Sequence, residues 1–137
     1  MAARSESVDA RADRFVQGAI AVVTLGAFVF RAGWVVPVLA VVLGLGAIGP
    51  AGNPLHRLFA GLAAPRLPAA HATVPASTVR TQDVLGAALL AFATLLLVIS
   101  LGGIAWIVAL AEAGVAAVAA TTGVHLGVTL RDRFRRR

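Results

Sequence analysis

Glu112 is the residue best placed to do chemistry. It stands alone in "LAEAGVAAVAATTGVHLG", residues 110–127, inside an otherwise uncharged apolar run. A charged side chain at the centre of a bilayer costs about 2.5–3.5 kcal/mol on insertion scales, so such a group faces protein or water. Pointed inward, a carboxyl group can carry a proton or bind a cation. It can equally serve as a neutral acid that bonds one helix to another. Thr24 and Thr94 are its candidate hydrogen-bond partners, because each falls at a similar depth when counted from the charged residues that precede its segment. Glu112, Thr24 and Thr94 thus form a candidate intramembrane polar site.

A second candidate lies towards the inner face. His125 sits six residues before Arg131, at a depth similar to Gln17, and Asn53 opens the central loop on the same side. A lone histidine near an interface packs or meets headgroups more often than it ligates a metal, and His56 and His71 match no ligand spacing; no metal and no cofactor are expected. Glu112 and His125 are the two groups able to carry acid–base work. They are thirteen residues apart, about 20 Å along one helix, and cannot share a site unless that helix breaks. No enzymatic activity is expected, and no P-loop, dinucleotide fingerprint, H-E-x-x-H or nucleophile elbow is present.

The elements that must hold these residues follow from composition. The chain has 137 residues, 59% hydrophobic and 13% charged, with mean hydropathy +0.89. Soluble domains carry about 25% charged residues, so lipid is the simpler solvent for this chain. All twelve basic residues are arginine. The absence of cysteine excludes disulfides and thiol chemistry. The formal charge of +6 does not point to nucleic acid, because the arginines flank apolar segments rather than interleaving with aromatic residues. The N-terminal "MAARSESVDARADRF" mixes acids with its arginines and shows no signal-peptide cleavage pattern.

The expected fold is all-α, an integral membrane protein of four spans arranged as two helical hairpins. A cytoplasmic N-terminus, 1–13, precedes spans at 14–31 and 33–49, joined by "RAGW". A loop, 50–82, follows, then spans at 83–100 and 103–130 and a basic tail, 131–137. Residues 84–111 carry no charge; that length is too long for one span, and "SLGG" at 100–103 supplies a break. Eleven of the twelve arginines then share one side with both termini, and Arg31 alone is opposite. By the positive-inside rule that side is cytoplasmic, in a bacterial inner membrane; Trp34 and Trp106 fall near the outer ends.

Within the loop, Asn53 is a candidate N-cap with Pro54 at the first helical position. Leu55, Leu58, Phe59 and Leu62 repeat at helical spacing, so residues 54–63 form an amphipathic helix on the inner surface, with His56 and Arg57 towards headgroups. Thr81 is expected to cap the third span, with Asp83 in its first turn. Gly123 and Gly127 form a G-x-x-x-G extended by alanines at 116, 119 and 120, and Ala40 with Gly44 is a counterpart on the second span. The tail attracts anionic lipids. Both hairpins begin after charged residues and turn at a glycine followed closely by a tryptophan; any duplication behind them would be parallel rather than inverted. Partners are the bilayer and either another membrane protein or further copies of the chain.

Several stretches resemble one bacterial membrane family, the domain of unknown function 4395, most closely its actinobacterial branch. They are "VDARADRF" (Asp9, Arg11, Arg14, Phe15), "NPLHRLFAGLAAPRL" (Asn53, Pro54, Phe59, Pro65, Arg66, Leu67), Arg80 six residues before Gly86, and the closing Gly123 and Gly127. In that family the fourth helix ends in G-x-C-x-G-C. Here His125 and Val128 occupy the cysteine positions, so the dithiol chemistry implied by relatives associated with thioredoxin-like and sulfurtransferase proteins is closed to this chain. Two readings follow: a degenerate member that keeps only a non-enzymatic scaffold or partner-subunit role, its contact surface the loop helix and the inner face around His125, or one in which His125 serves a different task. The alternative is a small oligomeric transporter or channel subunit using Glu112, with a link to sulfur or thiol metabolism through the family.

Overall fold

The computed structural model describes residues 7–49, 52–68, 72–123 and 126–137, with backbone alone at 64, 126–128, 130 and 131. The chain is mostly helical: β1 (Ser7–Asp9), α1 (Ala10–Val29), α2 (Val35–Ile48), α3 (Pro54–Leu62), a 3-10 turn (Ala64–Arg66), β2 (Thr73–Pro75), α4 (Ala76–Val98), α5 (Gly102–Thr122) and α6 (Leu126–Arg135). Three of these helices, α1, α4 and α5, are long and apolar enough to cross a membrane, and α2 is a shorter apolar helix. The strongest packing joins α2 to α4, α1 to α5, and α4 to α5. The two sequence-adjacent helices α1 and α2 touch far less. The second expected pair, α4 with α5, is packed together, whereas α1 and α2 of the first are packed mainly on α5 and α4 of the other half.

The interior is built of small and medium residues. Val16, Ile20, Val36, Leu39, Leu43, Leu90, Ala93, Ala109 and Ala116 form the central cluster. On α5 the buried face is nearly all alanine: Ala105, Ala109, Ala113, Ala116 and Ala119. Small side chains let backbones approach where lipid supplies no hydrophobic drive between helices. Large apolar residues point the other way; Val22 is 71% exposed, Val98 75% and Ile107 68%. A contiguous apolar exterior of this kind needs an apolar solvent or partner.

The two halves repeat. Positions 7 and 73, 10 and 76, and 14 and 80 correspond, a constant spacing of 66. β1 pairs with β2 antiparallel, with Val8 opposite Val74 at the middle of the ribbon, so a local two-fold axis passes through that pair. The same relation exchanges the α1–α5 contact with the α4–α2 contact, and the α1–α3 contact with the α4–α6 contact. Both long helices end alike. Ala32 N–H donates to Ala27 O across a left-handed Arg31 (φ 55°), and Leu101 N–H donates to Leu96 O across a left-handed Ser100 (φ 66°). In each case the helix closes with a left-handed residue that satisfies the last carbonyls. At the opposite end Arg80 donates to Ile48 O, 3.0 Å, at the end of α2. Its counterpart Arg14 lies against Gly123 at the end of α5, its Nη2 3.3 Å from where a Cβ on that glycine would stand.

Several boundaries differ from those read in the sequence. α4 starts at Ala76, not at residue 83, so Arg80 and Asp83 lie within the helix. Thr81 is not a cap; its hydroxyl donates to Ser77 O, 2.8 Å. α5 ends at Thr122, where Gly123 takes φ 72° as a left-handed C-cap, and α6 is separate. A span continuous from 103 to 130 and a G-x-x-x-G on one helix face are thus both replaced by a helix end. Gly44 makes no close approach, nothing lying within 4 Å of its open side, and Ala40 only flanks the core. The close glycine on α2 is Gly46.

Candidate functional site

The interior polar residues gather between the ribbon end of the bundle and its middle. Asp13, Gln17, Asn53, His56, Gln82, Asp83 and Glu112 are all buried, with exposures from 0% to 7%. Their placement follows from helix geometry. On α1, Asp13 and Gln17 continue the buried stripe of Val16, Ile20 and Thr24. On α4, Gln82, Asp83 and Gly86 continue that of Leu90 and Ala93. Residues three and four apart share a helix face, so polar residues that keep the register of the apolar stripe go inside with it.

The centre of the site is Asp83. Asn53 donates to its Oδ2 through Nδ2, 3.3 Å, while the Asn53 side-chain oxygen accepts from Leu55 N–H, 2.9 Å, and so caps α3. A Cβ on Gly46 would collide with Asp83 Oδ2, and one on Gly86 would stand 2.6 Å from Glu112 Oε1. These two glycines, one on α2 and one on α4, leave the space the carboxylates occupy. Asp83 lies in the field of Asp13, and Glu112 in that of Asp83. Three acids from α1, α4 and α5 therefore act on one another in a row. Buried atoms without hydrogen-bond partners include Asp83 Oδ1, both side-chain polar atoms of Gln82, His56 Nε2 and Thr24 Oγ1. Buried polar groups are satisfied in the great majority of cases, so a cluster of orphans marks a place built for something other than packing.

His56 closes the ribbon end. It is 7% exposed and shares the inward face of α3 with Phe59, whose ring lies 5.6 Å from that of Phe15 on α1. Burial lowers the imidazole below its ordinary range, and the Asp13 carboxylate pulls the other way. The expected orientation towards headgroups is reversed. α3 packs on α1 and α2 through His56 and Phe59, and it leaves Leu58 and Leu62 outside.

Of the residues singled out in the sequence, Glu112 points inward at 1% exposure. Neither threonine is its hydrogen-bond partner. Thr94 donates to Leu90 O on its own helix, 2.8 Å, and Thr24 lies nearer the turn end. Thr24 is five residues from the end of α1, whereas Glu112 is ten from the start of α5, a difference of about 7 Å. Depth counted from charged residues misplaced both, because α1 and α4 begin before those charges. Gln17 and Asn53 are buried at the ribbon end, and His125 lies outside the described residues. Among the described residues no group of three or more histidines and acids could hold a metal ion.

The buried acids thus sit in an apolar helical bundle, three of whose helices are long and apolar enough to cross a membrane. The chain belongs to the family described as a domain of unknown function, DUF4395, which matches residues 8–136. No curated protein matches the chain, and no solved structure does.

Proposed function

We propose that the chain is a four-span membrane protein, a small transporter-type subunit that passes protons through the acid cluster of Asp13, Asp83 and Glu112. One observation carries this reading: three carboxyl groups from three helices are buried inside an apolar bundle and lie in one another's field, with Gly46 leaving room for Asp83 and Gly86 for Glu112. Carboxylates that lie in one another's field away from water resist being ionised together, and strongly coupled groups titrate as a unit. Buried acids within membrane bundles mark proton relays and ion pathways.

α2, fourteen residues long, spans about 21 Å, and a thinned bilayer or flanking interfacial residues make up the remainder. Both termini, the ribbon and α3 face the cytoplasm, as the distribution of arginines supports. The basic α6 and the arginine-rich tail lie against anionic lipid. The scaffold role that the sequence led us to expect takes second place, because it leaned on a surface around His125.

The test is proton flux in proteoliposomes carrying a pH gradient and an internal pH dye. Wild type dissipates the gradient faster than protein-free vesicles, and Glu112→Gln falls at least about tenfold while remaining monodisperse and helical. Wild-type flux equal to that of empty vesicles refutes the proposal.

A further inference from the structure

We propose that His56 is the gate of this site, the residue through which protons pass between the surface at the ribbon end and the buried carboxylates. The inference rests on the proton-passing reading and names its entrance. α3, packed on α1 and α2, sends a polar side chain into the bundle: its buried residues are His56 and Phe59. His56 Nε2 is buried without a hydrogen-bond partner, although an imidazole nitrogen in a finished core is bonded. Two flanking contacts fix the ring's position. Asn53, one turn earlier, binds Asp83 and caps the helix, and Phe59, one turn later, meets Phe15.

The groups that face His56 come from each packed element. α1 presents Asp13, whose charge acts on the ring. α4 brings Asp83, joined to α3 through Asn53. α2 carries no titratable residue, and the 3-10 turn offers only the exposed Arg66. Counted from the ribbon end, Asp13 lies three residues into α1, Asp83 seven into α4, and Glu112 ten before the end of α5, which meets Arg14 at Gly123. The order from surface to interior is therefore His56, Asp13, Asp83, Glu112. Transfer is balanced at the ring: one nitrogen takes up a proton, the other releases one, and the neutral imidazole returns in its other tautomer. Imidazole is suited to this step because its ordinary range is close to neutrality.

The experiment uses the full chain in the same proteoliposomes, with flux measured as a function of cytoplasmic-face pH. Wild type shows an inflection below the ordinary imidazole value of 6.5, which needs no variant to observe. His56→Gln removes the inflection and lowers flux at least about tenfold, and free imidazole in the buffer restores flux to His56→Ala. A flux profile unchanged in His56→Gln, with Glu112→Gln still inactive, overturns the gate and leaves the acid site standing. Flux lost in His56→Ala and not restored by imidazole also overturns it. Absence of wild-type flux instead refutes the parent reading.

Discussion

Gly86 of α4 and Glu112 of α5 share one space: a methyl group on Gly86 would stand 2.6 Å from Glu112 Oε1 and 2.6 Å from Leu43 Cδ1. The glycine is required by the acid. Real Cβ atoms do not tolerate such approaches, so a larger residue displaces the carboxyl group, the leucine or the whole helix.

Gly86→Ala is therefore destabilising. Overpacking costs about 1–3 kcal/mol, against about 1 kcal/mol gained from helix propensity, and the net effect is a lower melting temperature in detergent. Gly44→Ala is the control: nothing lies within 4 Å of its open side, so propensity acts alone and the melting temperature rises. In a Glu112→Ala background the penalty at Gly86 shrinks, because one of its two colliding atoms is gone.

Gly123→Ala tests the end of α5. The position has φ 72° and faces Arg14. An L-residue there costs about 1–2 kcal/mol. The unfolding free energy of the variant is expected to fall by that amount and its melting temperature with it, whereas an uninterrupted helix through residue 123 predicts a rise.

Two groups contribute stability that acid removes. The folded state holds His56 below its ordinary value, so the unfolded chain binds the proton more readily. The stability linked to this group is complete above the unfolded value of 6.5 and is lost as pH falls through the folded one. Arg11 holds Asp9 below its ordinary 3.8, and Asp9 caps α1 by accepting from Arg11 N–H, 2.8 Å. Its contribution is lost only at lower pH. The His56 contribution is read as a difference: between about pH 8 and about pH 5 the melting temperature of wild type should fall relative to that of His56→Gln. Asp9→Ala costs about 1 kcal/mol at neutral pH, the usual worth of an N-cap.

The chain contains no cysteine, so single introduced thiols report sidedness without background. A cysteine at Ser100 is expected to label from outside and one at Thr73 only from inside. Labelling of both from one side contradicts the four-span arrangement.

Hydropathy and glycine placement were enough to find the four apolar helices, the Asn53 cap and the break near Ser100, because these depend on local rules. The fold's repeat was not legible in the same way. Its ribbon consists of two three-residue strands, Ser7–Asp9 and Thr73–Pro75, too short to show alternation. Glu112 stood out because its neighbours are apolar. Asp13, Gln82 and Asp83 did not, because arginines beside them made each look like the polar edge of a span. Register was the usable signal: Asp13 and Gln17 fall in step with Ile20 and Thr24, and Asp83 and Gly86 with Leu90. His56 escaped for the opposite reason. Its helix is amphipathic, and the leucine spacing marks one face without telling which polar residue turns to the bundle; His56 does so beside Phe59, while Leu58 and Leu62 stay outside.

The most direct test asks whether Asp83 and Glu112 work as one unit. Proton flux is measured for Asp83→Asn, Glu112→Gln and the double variant, each checked for monodispersity and helicity. The account predicts that each single change lowers flux at least about tenfold and that the double falls no further than about twofold below either, since residues acting together are non-additive. Two independent losses that multiply, or flux that survives either change, would contradict it.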